Sequence, residues 1–306
     1  MIEQRVTLPS HGETLSGILR LPDGDGPHPG IVQGPGWLGL ADAQLYVAYH
    51  EAFTDAGFAV LIFDYRGFGD SGGDRGTLSP MMQLEDLESA VTYLEQRSDI
   101  DAERLGVFGS GGTGGGNAIL LAAEDPRIHC AVSQVPVADG EDWLRRMRSP
   151  EEWDGFLDRI EADRRTRLAG GESEHVHPRT EIMIPTAERR ATTVKTDVDG
   201  RVPTSVPLSS AEDIMRYQPL DAAATSAPLM VVAVEDDQTT PTDHAEALYE
   251  MAPEPKVFIL QTNTTHYAAY GDYGDLVRPM MTAWFGWHLA DGPPVPTGHV
   301  SVGGEG

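Results

Sequence analysis

The first place in this 306-residue chain where chemistry is expected is a glycine-rich turn. Residues 104–117 read Arg-Leu-Gly-Val-Phe-Gly-Ser-Gly-Gly-Thr-Gly-Gly-Gly-Asn: an apolar strand, a sharp turn, then a helix. A phosphate-binding loop needs a lysine after the glycines, and Asn117 stands there instead. A dinucleotide-binding turn needs an acidic residue at the end of the next strand, where Ser133 and Gln134 occur. The third reading is a nucleophile elbow, a strained turn that presents a hydroxyl in front of a helix N-terminus. If the Gly-x-nucleophile-x-Gly window opens at Gly109, the attacking position falls on Gly111 and no attacking group exists. If it opens at Gly111, Thr113 becomes the nucleophile, flanked by Gly112 and Gly114 in an elongated turn. Ser110 is a third choice, but it sets Phe108 where a small residue is needed. Thr113 is the expected nucleophile or key hydroxyl, with Ser110 behind it and attack without a covalent nucleophile left open. A purely structural reading has the glycines permit close helix–sheet packing while Thr113 caps the helix.

Two further segments supply partners for such a hydroxyl. His266 follows an apolar strand in the polar run Gln-Thr-Asn-Thr-Thr-His-Tyr and is the expected general base. Asp237, four residues before Pro241, is the expected acid that holds the imidazole tautomer, with Asp236 and Glu235 as rivals. The run Gln33-Gly34-Pro35-Gly36-Trp37 is the expected oxyanion region. There the amides of Gly36 or Trp37 can face developing negative charge, together with an elbow amide at Gly112 or Gly114, whereas Pro35 has no N–H to donate. Trp143 and Tyr267 are candidate substrate contacts. His175 and His177 lack a third ligand nearby, so no metal is expected.

Positioning these groups requires a regular frame. Residues 2–8 and 14–21 alternate in polarity around a Ser-His-Gly turn and read as an antiparallel pair. From Pro29 onward, short apolar strands at 30–33, 59–63, 105–108, 129–133, 229–234 and 257–260 alternate with helical stretches at 43–56, 81–96, 115–123, 241–251 and 276–289. That rhythm describes an α/β fold with a mostly parallel central sheet and helices on both faces. It is interrupted at residues 137–219, which are charged, helical at 141–147 and 151–168, then rich in proline. The tryptophans, Phe156 and Ile160 in this stretch supply apolar surface, so it reads as a folded, mostly helical cap inserted between two halves of a core, 1–136 and 220–290. Residues 291–306 are rich in glycine and proline and read as a flexible tail.

Composition narrows the partners. Lys and Arg number 22 against 48 Asp and Glu, a net charge of −26, which disfavours nucleic acid and anionic membranes. The single cysteine, Cys130, lies in an apolar strand and excludes an internal disulfide framework. Neither a signal-peptide pattern nor a long apolar run stands out, so a cytoplasmic enzyme is expected.

Taken together, these stretches resemble the α/β-hydrolase superfamily over roughly residues 10–290. The likeness is to its bacterial dipeptidyl-aminopeptidase-like, X-Pro-peptidase-like and dienelactone-hydrolase-like branch. The carriers are Asp64-Tyr-Arg-Gly-Phe-Gly-Asp-Ser-Gly72, Glu85-Asp-Leu87 with Tyr93-Leu94, Asp237 with Pro241, and His266, in the chain order elbow, acid, histidine. The glycine-rich, Thr-containing elbow and Gln33 in place of a histidine depart from that pattern. The resemblance implies a capped hydrolase of an ester, amide or related acyl bond in a small or medium organic molecule. It implies no cofactor, and a monomer or small homo-oligomer. A lyase, cyclase or isomerase on the same fold, and a catalytically silent binding protein, remain alternatives.

Overall fold

The computed structural model describes residues 1–191, 200–271 and 273–303. Strands β1 (Ile2–Ser10) and β2 (Glu13–Leu21) form the expected hairpin, paired from Ile2 with Leu21 to Ser10 with Glu13. Then follow β3 (His28–Gly34), α1 (Val47–Asp55), β4 (Ala59–Phe63), α2 (Pro80–Glu95), β5 (Ile100–Ser110), α3 (Gly112–Glu124) and β6 (Ile128–Gln134). After an excursion the sheet resumes with β9 (Leu229–Val234), α9 (Thr242–Met251), β10 (Lys256–Thr262), α10 (Gly274–Leu289) and β11 (Gly298–Gly303). The nine strands lie in the order β1-β2-β4-β3-β5-β6-β9-β10-β11, antiparallel at the β1–β2–β4 end and parallel from β4 to β11. This is the α/β-hydrolase arrangement. Every residue of β4 and β9 is buried, as expected of strands covered on both faces.

Helix α3 lies close enough to the sheet to explain most of its glycines. A Cβ on Gly114 would meet the Pro35 carbonyl oxygen at 2.6 Å, and one on Gly116 would meet Tyr217 Oη at 2.3 Å. On the opposite face Trp284 of α10 is fully buried and donates through Nε1 to the Ala131 carbonyl at 3.1 Å.

The excursion is helical and folded where it is described. It comprises α4 (Gly140–Arg146), α5 (Pro150–Leu168), β7 (His175–Val176), a π-helical turn at Pro178–Ile182, α6 (Ala187–Ala191), β8 (Val206–Pro207), α7 (Ser209–Met215) and α8 (Pro219–Ala223). Helix α5 opens on a reciprocal cap: Ser149 Oγ accepts from the Glu152 amide at 3.3 Å, and Glu152 accepts from the Ser149 amide at 2.8 Å. Arg148 then donates to the carbonyls of Glu181 and Ile182 at 2.7 and 2.8 Å, tying the π-helical turn to α4 and α5. The glycine- and proline-rich tail differs from its expectation as a frayed end. Residues 298–303 pair in parallel with β10 and add an edge strand, because their backbone groups find partners along an otherwise open edge. Among the described residues no helix is long and apolar enough to cross a membrane.

Candidate active site

The strand-to-helix junction decides which elbow window this chain uses. Strand β5 ends at Ser110 and α3 begins at Gly112, so Gly111 alone makes the turn, at φ +78° and ψ 165°. That backbone conformation is nearly closed to residues with a Cβ. A Cβ placed on Gly111 would lie 3.1 Å from Gly36 Cα and 3.8 Å from Tyr270 Oη. The strained position therefore faces the oxyanion region and carries no side chain.

Thr113 is not brought to the histidine. It sits one residue into α3, is fully buried, and turns its hydroxyl towards α2, donating to Gln83 Oε1 at 3.3 Å. Its carbonyl accepts from Tyr217 Oη at 3.0 Å. The expectation of a threonine nucleophile is corrected on this ground: once helical, the chain carries residue 113 past the turn and round to the opposite side. Ser110, by contrast, lies on the wall of a cavity of about 110 Å³ that His266 also lines.

His266 and Asp237 meet although 29 residues separate them. Asp237 Oδ2 accepts from His266 Nδ1 at 2.7 Å, so the Nε2 lone pair is the one left for chemistry. The carboxylate also accepts from the Thr239 and Thr240 amides at 2.7 and 3.0 Å and from Thr240 Oγ1 at 3.0 Å. Burial works to raise the Asp237 pKa. The His266 charge and hydrogen bond, with the two threonine amides, outweigh it and hold the carboxyl below the usual range. Asp236 and Glu235 point into solvent, Asp236 at φ +51°, and make no contact with the ring.

The expected oxyanion and contact residues divide. Gly36, Trp37, Gly112, Trp143 and Tyr267 line the cavity. Gln33, Gly34 and Gly114 do not. Gln33 accepts a short hydrogen bond from Nε2 of His50, whose Nδ1 accepts from Arg20 at 2.5 Å. A Cβ on Gly34 would press on Tyr65 Oη and Leu87, so Gly34 serves packing, as Gly114 does. The Gly36 amide already has an acceptor, Tyr46 Oη, at 3.2 Å. Trp143 donates to the Thr239 carbonyl at 2.8 Å and meets Trp37 edge-on at 5.8 Å. Of the two cap histidines, His175 is exposed and His177 accepts from the Arg179 amide at 3.1 Å. The loop after β4 is held as its residues suggest, by Arg66 on Asp86 at 2.6 Å and by Asp64 on the amides of Ala41 and Asp70.

Sequence reasoning missed two tyrosines of the cavity. Tyr46 and Tyr270 are buried there and line the cavity with Ser110. Tyr270 stands four residues after His266, a spacing that could have been read, whereas nothing local marks Tyr46.

A family model described as serine aminopeptidase, S33, matches residues 39–268. The chain belongs to this family of α/β hydrolases. An uncharacterized 31.7 kDa protein in the traX-finO intergenic region of Escherichia coli is 31% identical over 283 residues, covering 90% of this chain and 97% of that protein. Among solved structures, DcsB in complex with its substrate analogue superposes with a TM-score of 0.80 at 23% identity, covering 94% of this chain and 100% of that one. The α/β hydrolase GrgF from Penicillium sp. sh18 superposes with a TM-score of 0.78 at 23% identity, covering 95% and 100%. At those identities the likeness is one of fold. With its family membership and its buried His–Asp pair, the protein is an α/β-hydrolase-fold enzyme.

Proposed function

We propose that this enzyme cleaves its acyl substrate by direct attack of water, without an acyl-enzyme. The observation that carries the reading is the pairing of His266, oriented by Asp237 at 2.7 Å, with an elbow whose turn residue is Gly111. In the step proposed, His266 Nε2 removes a proton from water while the water oxygen bonds to the carbonyl carbon and the π pair moves to the carbonyl oxygen. The intermediate then collapses: the bond to the leaving group breaks with its electron pair, and the leaving group takes the proton from the imidazolium. One water is consumed, and an acid and an alcohol or amine are released.

The cavity size supports a short acyl group. A cavity of roughly 150 Å³ admits a benzene ring, and this one, at about 110 Å³ and walled by Trp37, Leu45 and Trp143, is smaller. A wider cleft of about 320 Å³ shares Trp143 and Thr239 with it and suits the leaving group. Within the superfamily we place the chain near the bacterial dipeptidyl-aminopeptidase-like, X-Pro-peptidase-like and dienelactone-hydrolase-like branch, supported by the Asp64–Gly72 loop and the elbow, acid, histidine order. The proposal includes a cytoplasmic protein, monomeric or a small homo-oligomer, for which the −26 charge and the buried thiol of Cys130 speak.

The test is turnover of p-nitrophenyl acetate, butyrate and octanoate and of a matching anilide by wild type, His266→Ala and Asp237→Asn. We expect the short esters to react fastest. Asp237→Asn should lower kcat by roughly 10³–10⁴, as loss of the orienting carboxylate does in hydrolytic triads. Full activity in His266→Ala would refute the reading. A product other than acid and alcohol would move the enzyme to the lyase or isomerase alternative.

A further inference from the structure

The water-attack reading calls for donors to the developing oxyanion, and one of the expected backbone donors is engaged. The Gly36 amide is spent on Tyr46 Oη at 3.2 Å. Tyr270 offers another group. Its hydroxyl would lie 3.8 Å from a Cβ on Gly111, so it borders the space where a side-chain nucleophile would otherwise stand. The residue is held from both ends. Tyr49 Oη donates to the Tyr270 carbonyl at 3.3 Å, and the Tyr270 ring packs edge-on to His266 at 5.7 Å. Tyr46, Ser110, Arg179, Thr239, Thr240, His266 and Tyr267 also line this cavity, but Tyr270 is the phenol that a Cβ at the turn residue would meet.

We propose that Tyr270 is a catalytic residue whose hydroxyl donates a hydrogen bond to the substrate carbonyl oxygen and holds it as charge develops there. The proton stays on the tyrosine throughout; only the hydrogen bond shortens as the π pair moves onto the carbonyl oxygen. Burial keeps the phenol protonated: it raises the Tyr270 pKa well above its ordinary 10, with the Ser110 hydrogen bond only partly offsetting the rise. In the resting site Ser110 and Tyr46 line the same cavity as Tyr270. A donor fixed in this way acts on the transition state more than on the bound substrate, because the charge it meets exists only there.

The inference rests on the hydrolytic reading, and one set of measurements separates the two. The p-nitrophenyl ester that wild type turns over fastest is assayed with Tyr270→Phe and His266→Ala, with folding followed by thermal melting. Tyr270→Phe should lower kcat by roughly 10²–10³ with KM within about threefold, the range for losing one oxyanion donor. Replacing Tyr270 by a difluorotyrosine, which keeps the ring and acidifies the hydroxyl, should move the alkaline fall of kcat to lower pH. This second variant serves if the phenylalanine protein does not fold. Loss of activity in His266→Ala with kcat intact in Tyr270→Phe would overturn the role of Tyr270 alone, as would a rise confined to KM or an alkaline limb unmoved by fluorination. No turnover of any ester by wild type, or an undiminished His266→Ala, would overturn the hydrolytic reading and this inference with it.

Discussion

Installing a nucleophile where the elbow lacks one tests the site geometry directly. In Gly111→Ser the new Cβ must accept φ +78° and ψ 165°, a conformation that costs a non-glycine residue about 1–3 kcal/mol. It would also stand 3.1 Å from Gly36 Cα, close enough that the Gly36 loop must yield by a few tenths of an ångström. For a chain of this size such a loss lowers Tm by roughly 2–5 °C, which a folded enzyme survives. The new hydroxyl would lie in the cavity that His266 lines, the setting in which a serine is activated by a neighbouring base. The assay is intact-protein mass spectrometry after brief exposure to p-nitrophenyl butyrate, with stopped-flow release of p-nitrophenol. Wild type should remain unmodified and show no burst. The variant should carry one butyryl group on the peptide spanning position 111, with a burst matching the enzyme concentration, and both should vanish when His266→Ala is added. A butyryl adduct on Ser110 of the wild type would refute water attack. A folded Gly111→Ser protein that is never acylated would refute the claim that this turn faces the reacting carbon.

The remaining predictions concern residues outside the reacting space. Thr113→Val removes a hydroxyl that contacts Gln83, so it should cost about 1 kcal/mol of stability in denaturant unfolding and leave kcat within about twofold. A hundredfold loss would return that hydroxyl to the chemistry. His50 is buried beside Arg20, and burial first, then the Arg20 charge, push its pKa down from 6.5 to about 3. The unfolded chain therefore binds the proton before the folded one does. The stability contributed by neutral His50 is complete above about pH 6.5 and is lost as pH falls towards 3, at up to about 1.4 kcal/mol per pH unit. Urea unfolding of wild type and His50→Gln across that interval should show the slope diminish in the variant; parallel curves would contradict it.

The alternation of apolar strands with helical stretches was enough to place β4 and β9 to the residue and the other sheet strands, except β11, within five positions. Burial on both faces leaves a parallel strand no choice but an unbroken apolar run, and that run is visible locally. The link between acid and histidine was also within reach, because the Asp237 loop and the His266 loop each follow a strand in an arrangement that brings strand ends together. Between Asp237 and Asp236 the sequence had no means to choose. The choice depends on a turn in which the Thr239 and Thr240 amides close on one carboxylate while the other faces water.

The elbow shows the boundary most clearly. Seven glycines in one short segment offered several registers of almost equal local plausibility, since glycine is compatible with the turn, the helix and the close approach alike. Tertiary contacts removed the ambiguity. The Pro35 carbonyl and Tyr217 leave no room for a Cβ at Gly114 and Gly116, so those two glycines belong to the close packing of α3, while Gly111 makes the turn and Thr113 faces Gln83. The hydroxyls of Tyr46, Ser110 and Tyr270 come from three separate segments and share a neighbourhood only after the sheet has closed. The sequence alone determined the frame and the charge and marked His266 and a short acidic run at 235–237 as candidate base and acid, because those depend on local periodicity and chain order. Which residue stands before the base, and what surrounds it, was decided only by packing, because side chains distant in the chain compete there for the same few cubic ångströms.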